Sequence, residues 1–208
     1  MANFKQAVRM GLKGVKLAVT KGPKTAWRLT REKTQRMQAC RQMADLHMIS
    51  DEERARQKSA QFANPVKISI LTPLYNTPEP FLRALIGSLK AQTYPNWELC
   101  AADGSDEAHA YVGRICREEA AKDPRIVYRH LEENGGISDN TNACIRLASG
   151  AYFGLLDHDD MLHESALYEV MRAIEEKGAD FIYTDEAKFD GDIEKASDFN
   201  FKPGFGKD

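Results

Sequence analysis

An apolar run, Leu155-Leu156, ends abruptly in Asp157-His158-Asp159-Asp160, three carboxylates within four residues. Residues 151–156 read as a strand buried on both faces, because continuous apolar residues after Gly150 suit a parallel strand. If the chain stays extended, strand alternation turns Asp157 and Asp159 to one side and His158 to the other. Two carboxylates at the carboxyl end of a strand lie where open α/β sheets bind ligands. Oxygen donors so few in number suit a hard divalent cation whose shell is completed by ligand phosphates, as with Mg²⁺. The chemistry expected is therefore that of a metal ion and a diphosphate. The plainer reading is an acidic surface turn in which Asp160 caps the next helix. His158 reads as a packing residue rather than a ligand.

The elements that must position these carboxylates form a repeating pattern. Residues 66–72 make a β-branched strand that runs into a loop of Pro73, Leu74, Tyr75 and Asn76. Thr77 is placed to cap the following helix, with Pro78 at its first position. Phe81, Leu82, Leu85, Ile86 and Leu89 fall on one face of that helix. A second strand over 97–102 ends at Asp103, Gly104 and Ser105, and Tyr111, Val112, Ile115 and Cys116 are the inward face of the helix after it. Residues 125–131 form a third strand, closed by Glu133, Asn134, Gly135 and Gly136, a strong turn signal. A helix through Asn142 and Ile145 ends near Ser149-Gly150. After the acidic strand comes a helix with Leu167, Val170, Met171 and Ile174 inward, then a fifth strand over 179–185 and a turn at Asp190-Gly191-Asp192. Strands alternating with helices predict an α/β fold, a mostly parallel sheet with helices on both faces.

Charge divides the chain. Residues 1–60 hold fourteen Lys and Arg against five Asp and Glu, whereas the whole chain of 208 residues has a net charge of −2. Phe4, Val8, Leu12, Val15 and Val19 recur with helical period beside Lys5, Arg9, Lys13 and Lys16. This predicts a basic amphipathic helical arm over 1–61, followed by a nucleotide-binding domain over 62–208. The arm either packs on protein or lies on an anionic membrane surface. No aromatic-interleaved basic platform supports nucleic-acid binding. Cys40, Cys100, Cys116 and Cys144 lack metal-site spacing and read as reduced thiols of a cytosolic protein. No apolar run approaches the length of a membrane span, and no secretory leader is legible.

Four loops at strand carboxyl ends now line up: Pro73 to Asn76, Asp103 to Ser105, Glu133 to Gly136 and Asp157 to Asp159. The runs Val66-Lys67-Ile68-Ser69-Ile70-Leu71-Thr72-Pro73-Leu74-Tyr75-Asn76, Gln92-Thr93-Tyr94-Pro95-Asn96-Trp97-Glu98-Leu99, Glu133-Asn134-Gly135-Gly136-Ile137-Ser138 and Leu155-Leu156-Asp157-His158-Asp159-Asp160-Met161-Leu162 resemble family 2 glycosyltransferases of the GT-A fold. Tyr183-Thr184-Asp185-Glu186 is similar too, so the likeness covers residues 64–190. It implies inverting transfer of a sugar from a nucleoside-diphosphate donor, with Mn²⁺ or Mg²⁺, to a saccharide or lipid-linked acceptor. In that picture Pro73 and Tyr75 line the base and ribose pocket, and Asp103 accepts a hydrogen bond from the base. Many members carry two adjacent carboxylates there, whereas this chain has Ala102-Asp103. Asp157 would contact ribose or metal, and Asp159 would be the principal metal ligand. Asn134 and Gly135 are further donor-side candidates, a tight turn being their other reading, as loop packing is for Tyr75.

The family's general base lies well downstream, and here only Asp185 and Glu186 are candidates, with structural or acceptor-side roles equally open. The resemblance thus implies a cell-envelope polysaccharide enzyme at the cytoplasmic side of a membrane. A second reading is a donor-binding module, truncated or completed by a partner, without independent turnover. An aspartyl-phosphate phosphatase is disfavoured, since Asp160-Met161 follows the pair and three strands precede it.

Overall fold

The computed structural model describes residues 24, 25, 27, 28, 31, 48–189 and 197–202. Ser50–Ile182 forms one compact unit, and a second is drawn from Met1–Ile49 and Tyr183–Asp208. The expected arm helix over residues 4–19, Cys40 and the Asp190-Gly191-Asp192 turn lie outside the described residues.

The first unit begins with α1 (Asp51–Ser59), whose N-cap Ser50 accepts a hydrogen bond from the Glu53 amide. Then follow β1 (Ile68–Leu74), α2 (Glu79–Lys90), β2 (Trp97–Asp103), a 3₁₀ turn (Glu107–His109), α3 (Tyr111–Lys122), β3 (Ile126–His130), α4 (Gly136–Ile145), β4 (Tyr152–Leu155) and α5 (Ala166–Lys177). The strands pair in parallel in the order β3-β2-β1-β4. This is the expected α/β alternation, and strand alternation divides the core into two layers. Ile68, Ile70, Leu99 and Ala101 pack against α2, α3 and α5 through Leu85, Leu89, Val112, Ile115, Leu167 and Met171. Leu71, Cys100 and Ala102 meet Ala143 and Cys144 of α4 on the opposite face. Cys100, Cys116 and Cys144 are free and buried, and burial pushes the Cys100 and Cys116 thiols up to about 12.

Several expectations are corrected. Strand β4 is not covered on both faces, for Phe153 is 54% and Leu155 76% exposed. Helix α4 lies over β1 and β2 and leaves that side of β4 open. Pro73 belongs to β1 rather than to the loop. It is tolerated in a central strand because the β1–β4 pairing ends at Leu71 and Leu155, so no neighbour seeks its missing amide. Thr77 does not cap α2: Pro78 occupies the cap position without a side-chain bond, and the Thr77 hydroxyl is buried without a partner. Phe81 points outward and is exposed. Helix α4 ends at Ile145, before Ser149-Gly150. A Cβ at Gly150 would lie 2.6 Å from the Lys67 carbonyl, so close backbone approach and not helix termination selects glycine there.

The predicted strand over 179–185 is absent. In the second unit a short strand β5 (Glu186–Lys188) pairs antiparallel with β6 (Ser197–Asn200).

Candidate functional site

Parallel strands deliver their carboxyl ends to one edge of the sheet, so the loops after β1, β2, β3 and β4 share that edge. The first two are tied together. The Asn76 amide donates to Ser105 Oγ (2.8 Å), Asn76 Nδ2 donates to Asp106 Oδ2 (3.0 Å), and the Asp106 amide returns a bond to Asn76 Oδ1 (3.2 Å). Asn76 has a φ of 49°, a left-handed conformation that asparagine tolerates better than most side chains. Its neighbour Tyr75 stands 47% exposed at the rim. The third loop closes on the second at Gly104, where a Cβ would lie 3.1 Å from Asn134 Cα. Asn134 Oδ1 accepts from the Gly136 amide (3.1 Å) and from Asn140 Nδ2 (2.8 Å), which folds the loop onto the start of α4. A Cβ at Gly135 would lie 2.7 Å from Asp139 Cβ.

Asp103 terminates β2 and is 1% exposed. Its Oδ1 accepts from the Ser105 amide (2.9 Å) and its Oδ2 from the Tyr128 hydroxyl (2.8 Å). His130 Nδ1 stands 3.9 Å from the same Oδ2. Burial and the bond to Asp103 push the Tyr128 phenol well above its ordinary range, so it remains a donor.

The chain does not stay extended after Leu156. It turns at His158 and Asp159, closed by the Asp160 amide on the Asp157 carbonyl (3.1 Å). The alternation argument for Asp157 and Asp159 therefore fails, and a turn, not a strand, carries the two carboxylates. Both are exposed, whereas His158 is half-buried with its Nδ1 unpartnered. A cleft of about 390 Å³ opens beside this turn, floored by Leu71, Pro73 and Leu156 and bordered by Ser138, Asn142 and Asp157. Among the described residues no three His, Cys, Asp or Glu side chains converge to hold an ion. Asp157 and Asp159 supply hard oxygens from one turn, a donor set that fits Mg²⁺ or Mn²⁺ bound through few protein ligands.

Asp185 and Glu186 lie in the second unit. Asp185 Oδ1 accepts from the Lys202 amide (2.8 Å), and Glu186 Oε1 accepts from Asn200 Nδ2 (2.7 Å). The Asn200 and Lys202 side chains hold the Glu186 carboxyl below its ordinary range. The sequence reading placed Asn76 and Ser105 in edge loops but missed the bond between them, and it missed Tyr128 as a partner of Asp103. Only Asn76 had a local signal, as an asparagine in a loop between strand and helix.

With the fold and these loops in place, the comparisons with known proteins are unambiguous about the family. The glycosyl transferase family 2 model matches residues 69–197, and the chain belongs to that family. Protein y4gI of Sinorhizobium fredii is 42% identical over 68% of this chain and 15% of its own length. The O-antigen biosynthesis protein RfbC of Myxococcus xanthus is 30% identical over 74% of this chain and 12% of its own. The chain thus spans less than a sixth of the length of either relative. A solved structure of S. aureus TarS 1–349 in complex with UDP-GlcNAc is 25% identical, covers 55% of this chain and 32% of that one, and superposes with a TM-score of 0.49.

Proposed function

We propose that this chain binds a nucleoside-diphosphate sugar at the carboxyl edge of its sheet, with Mn²⁺ or Mg²⁺, as the donor half of an inverting transfer to a saccharide or lipid-linked acceptor. The observation that carries this reading is the juxtaposition of Tyr75, Asp103, Asn134 and the Asp157–Asp159 turn on loops at one edge. Tyr75 and Pro73 would border the nucleoside, Asp103 would accept from the base, and Asn134 and Gly135 would shape the floor beneath it. Asp157 and Asp159 would hold the ion, which when bound offsets the charge that develops on a departing diphosphate. The family and the name of the Myxococcus relative support a role in cell-envelope polysaccharide synthesis. We place it at the cytoplasmic face of the membrane, with residues 1–60 as the peripheral contact.

A second reading is a donor-binding module completed by other polypeptide. It is favoured by the engagement of Asp185 and Glu186, the candidates for the acceptor's proton, in hydrogen bonds of their own hairpin. Donor binding without transfer identifies that case.

The test is calorimetric titration of UDP, GDP and dTDP with and without Mn²⁺, on the wild type and on Asp159→Ala. One diphosphate should bind, its affinity should rise with Mn²⁺, and Asp159→Ala should remove the rise. Ligand at about a hundred times its Kd should raise stability by about 2.7 kcal/mol. Failure of every diphosphate to bind refutes the donor site, and equal binding with and without Mn²⁺ refutes the metal role.

A further inference from the structure

Behind Asp103 lies an arrangement that a merely structural carboxylate does not need. Tyr128 is opposite Ala101 in the β2–β3 register, and His130 is opposite Asp103 itself. Both side chains therefore emerge on the sheet face from which Asp103 projects. The Tyr128 hydroxyl reaches forward to Asp103 Oδ2 at 2.8 Å. It can do so because α3 carries glycine at position 113, where a Cβ would lie only 2.4 Å from that hydroxyl oxygen. The Arg117 guanidinium covers the Tyr128 ring at 5.6 Å. An aromatic from the neighbouring strand, seated in a slot of one helix and covered by a cation from the next turn of that helix, thus reaches one carboxylate oxygen.

We propose that Tyr128, seated in the Gly113 slot, is a positioning residue that fixes Asp103 as a hydrogen-bond acceptor for the nucleobase of the donor. This rests on the assignment of Asp103 to the base. A tyrosine has one proton to give, and it is committed to Oδ2. The Ser105 amide occupies one lone pair of Oδ1. The carboxylate is held in one orientation, with its remaining lone pairs able only to accept. A ring N–H, as in uracil, thymine or guanine, is matched to that; the N3 of cytosine is itself an acceptor, which leaves cytosine only its exocyclic amino group to donate. Tyr128 touches no ligand in this scheme and acts through Asp103.

Three variants of the 208-residue chain test it by titration with UDP, CDP and pyrophosphate–Mn²⁺, with thermal midpoints as a folding control. Tyr128→Phe should weaken UDP about tenfold, the equivalent of one hydrogen bond to a charged group, CDP by less, and leave pyrophosphate–Mn²⁺ unchanged. Gly113→Ala, which displaces the hydroxyl without deleting it, should reproduce that loss. The double variant should lose no more than Tyr128→Phe alone, because the severe clash disappears with the oxygen and only contacts of 3.1 Å to Arg117 Nη1 and 3.3 Å to the ring carbon remain. Wild-type affinity for UDP in Tyr128→Phe, equal losses of UDP and pyrophosphate, or additive losses in the double variant each overturn the proposal. If Tyr128→Phe fails to fold, the comparison of Gly113→Ala with wild type decides by the same UDP-to-pyrophosphate ratio. Absence of all nucleotide binding in the wild type instead refutes the donor site, and this inference with it.

Discussion

Both carboxylate oxygens of Asp103 already accept a protein hydrogen bond, so its replacement has two separable consequences. Asp103→Ala leaves the Tyr128 hydroxyl and the Ser105 amide without their partner in a buried place. An unsatisfied buried group costs about 1–3 kcal/mol, and urea unfolding should register a loss of that order. The same variant should weaken UDP more than pyrophosphate–Mn²⁺; equal loss of both contradicts the base assignment. Asp103 was legible in the sequence because a carboxylate directly after an apolar strand stands out. Tyr128 was not, since an aromatic inside a β-branched strand reads as core. What makes it a partner of Asp103 is a register between two strands and a glycine on a third element.

Among the elements, the connection from α4 to β4 depends on a carboxylate at the far edge of the sheet. Glu98, opposite Ser69 in the β1–β2 register, is 3% exposed. It accepts from Lys67 Nζ (2.7 Å), Ser69 Oγ (2.7 Å) and the Ser149 amide (2.6 Å). Burial by itself would raise its pKa, but these three donors outweigh burial and hold the carboxyl at about 2, against an ordinary 4.5. Because the folded value is the lower one, the stabilisation is fully present above about 4.5 and is lost as pH falls through about 2. Glu98→Gln should therefore cost roughly 3 kcal/mol near neutrality, and the gap between variant and wild type should close as unfolding is followed from pH 6 towards pH 2. A gap that stays constant over that range contradicts the linkage. Element order and type were readable here from apolar periodicity and turn residues. The misreadings at Thr77, Ser149-Gly150 and residues 151–156 share a cause: each assigned to local sequence a property set by a neighbour, namely a cap, a close backbone approach and a covering helix.

At the scale of the whole molecule, α1 falls within residues 1–61, the stretch expected to form the arm, yet it is hydrogen-bonded to the sheet unit. Arg54 of α1 donates to Glu164 Oε2 (2.6 Å), and Thr93 Oγ1 donates to Gln57 Oε1 (2.7 Å), which ties α1 to the sheet unit. Residues 1–60 carry fourteen basic groups against five acidic, and such groups contribute about 1 kcal/mol each near an anionic surface. The full chain should sediment with phosphatidylserine vesicles at low salt and release as salt rises, whereas a chain starting at Ser50 should stay in solution and retain UDP binding. Salt-independent or absent sedimentation refutes the membrane role. A chain starting at Gln61 should also unfold more easily, because Glu164 loses Arg54 and Thr93 loses Gln57.

By itself, the sequence determined the alternation of strands and helices in residues 66–177, and with it the placing of four loops at one edge. Periodicities of two and 3.6 residues are local, and parallel strands joined by helices leave their carboxyl ends no other common location. Only the tertiary structure decided that β1 lies between β2 and β4, that β4 keeps one face open, that the chain turns at His158 and that Tyr128 meets Asp103. The pairing of β1 with β4 joins Ile68 to Tyr152, and Tyr128 reaches Asp103 from another strand; no spacing within a segment encodes which distant side chain will fill a given slot.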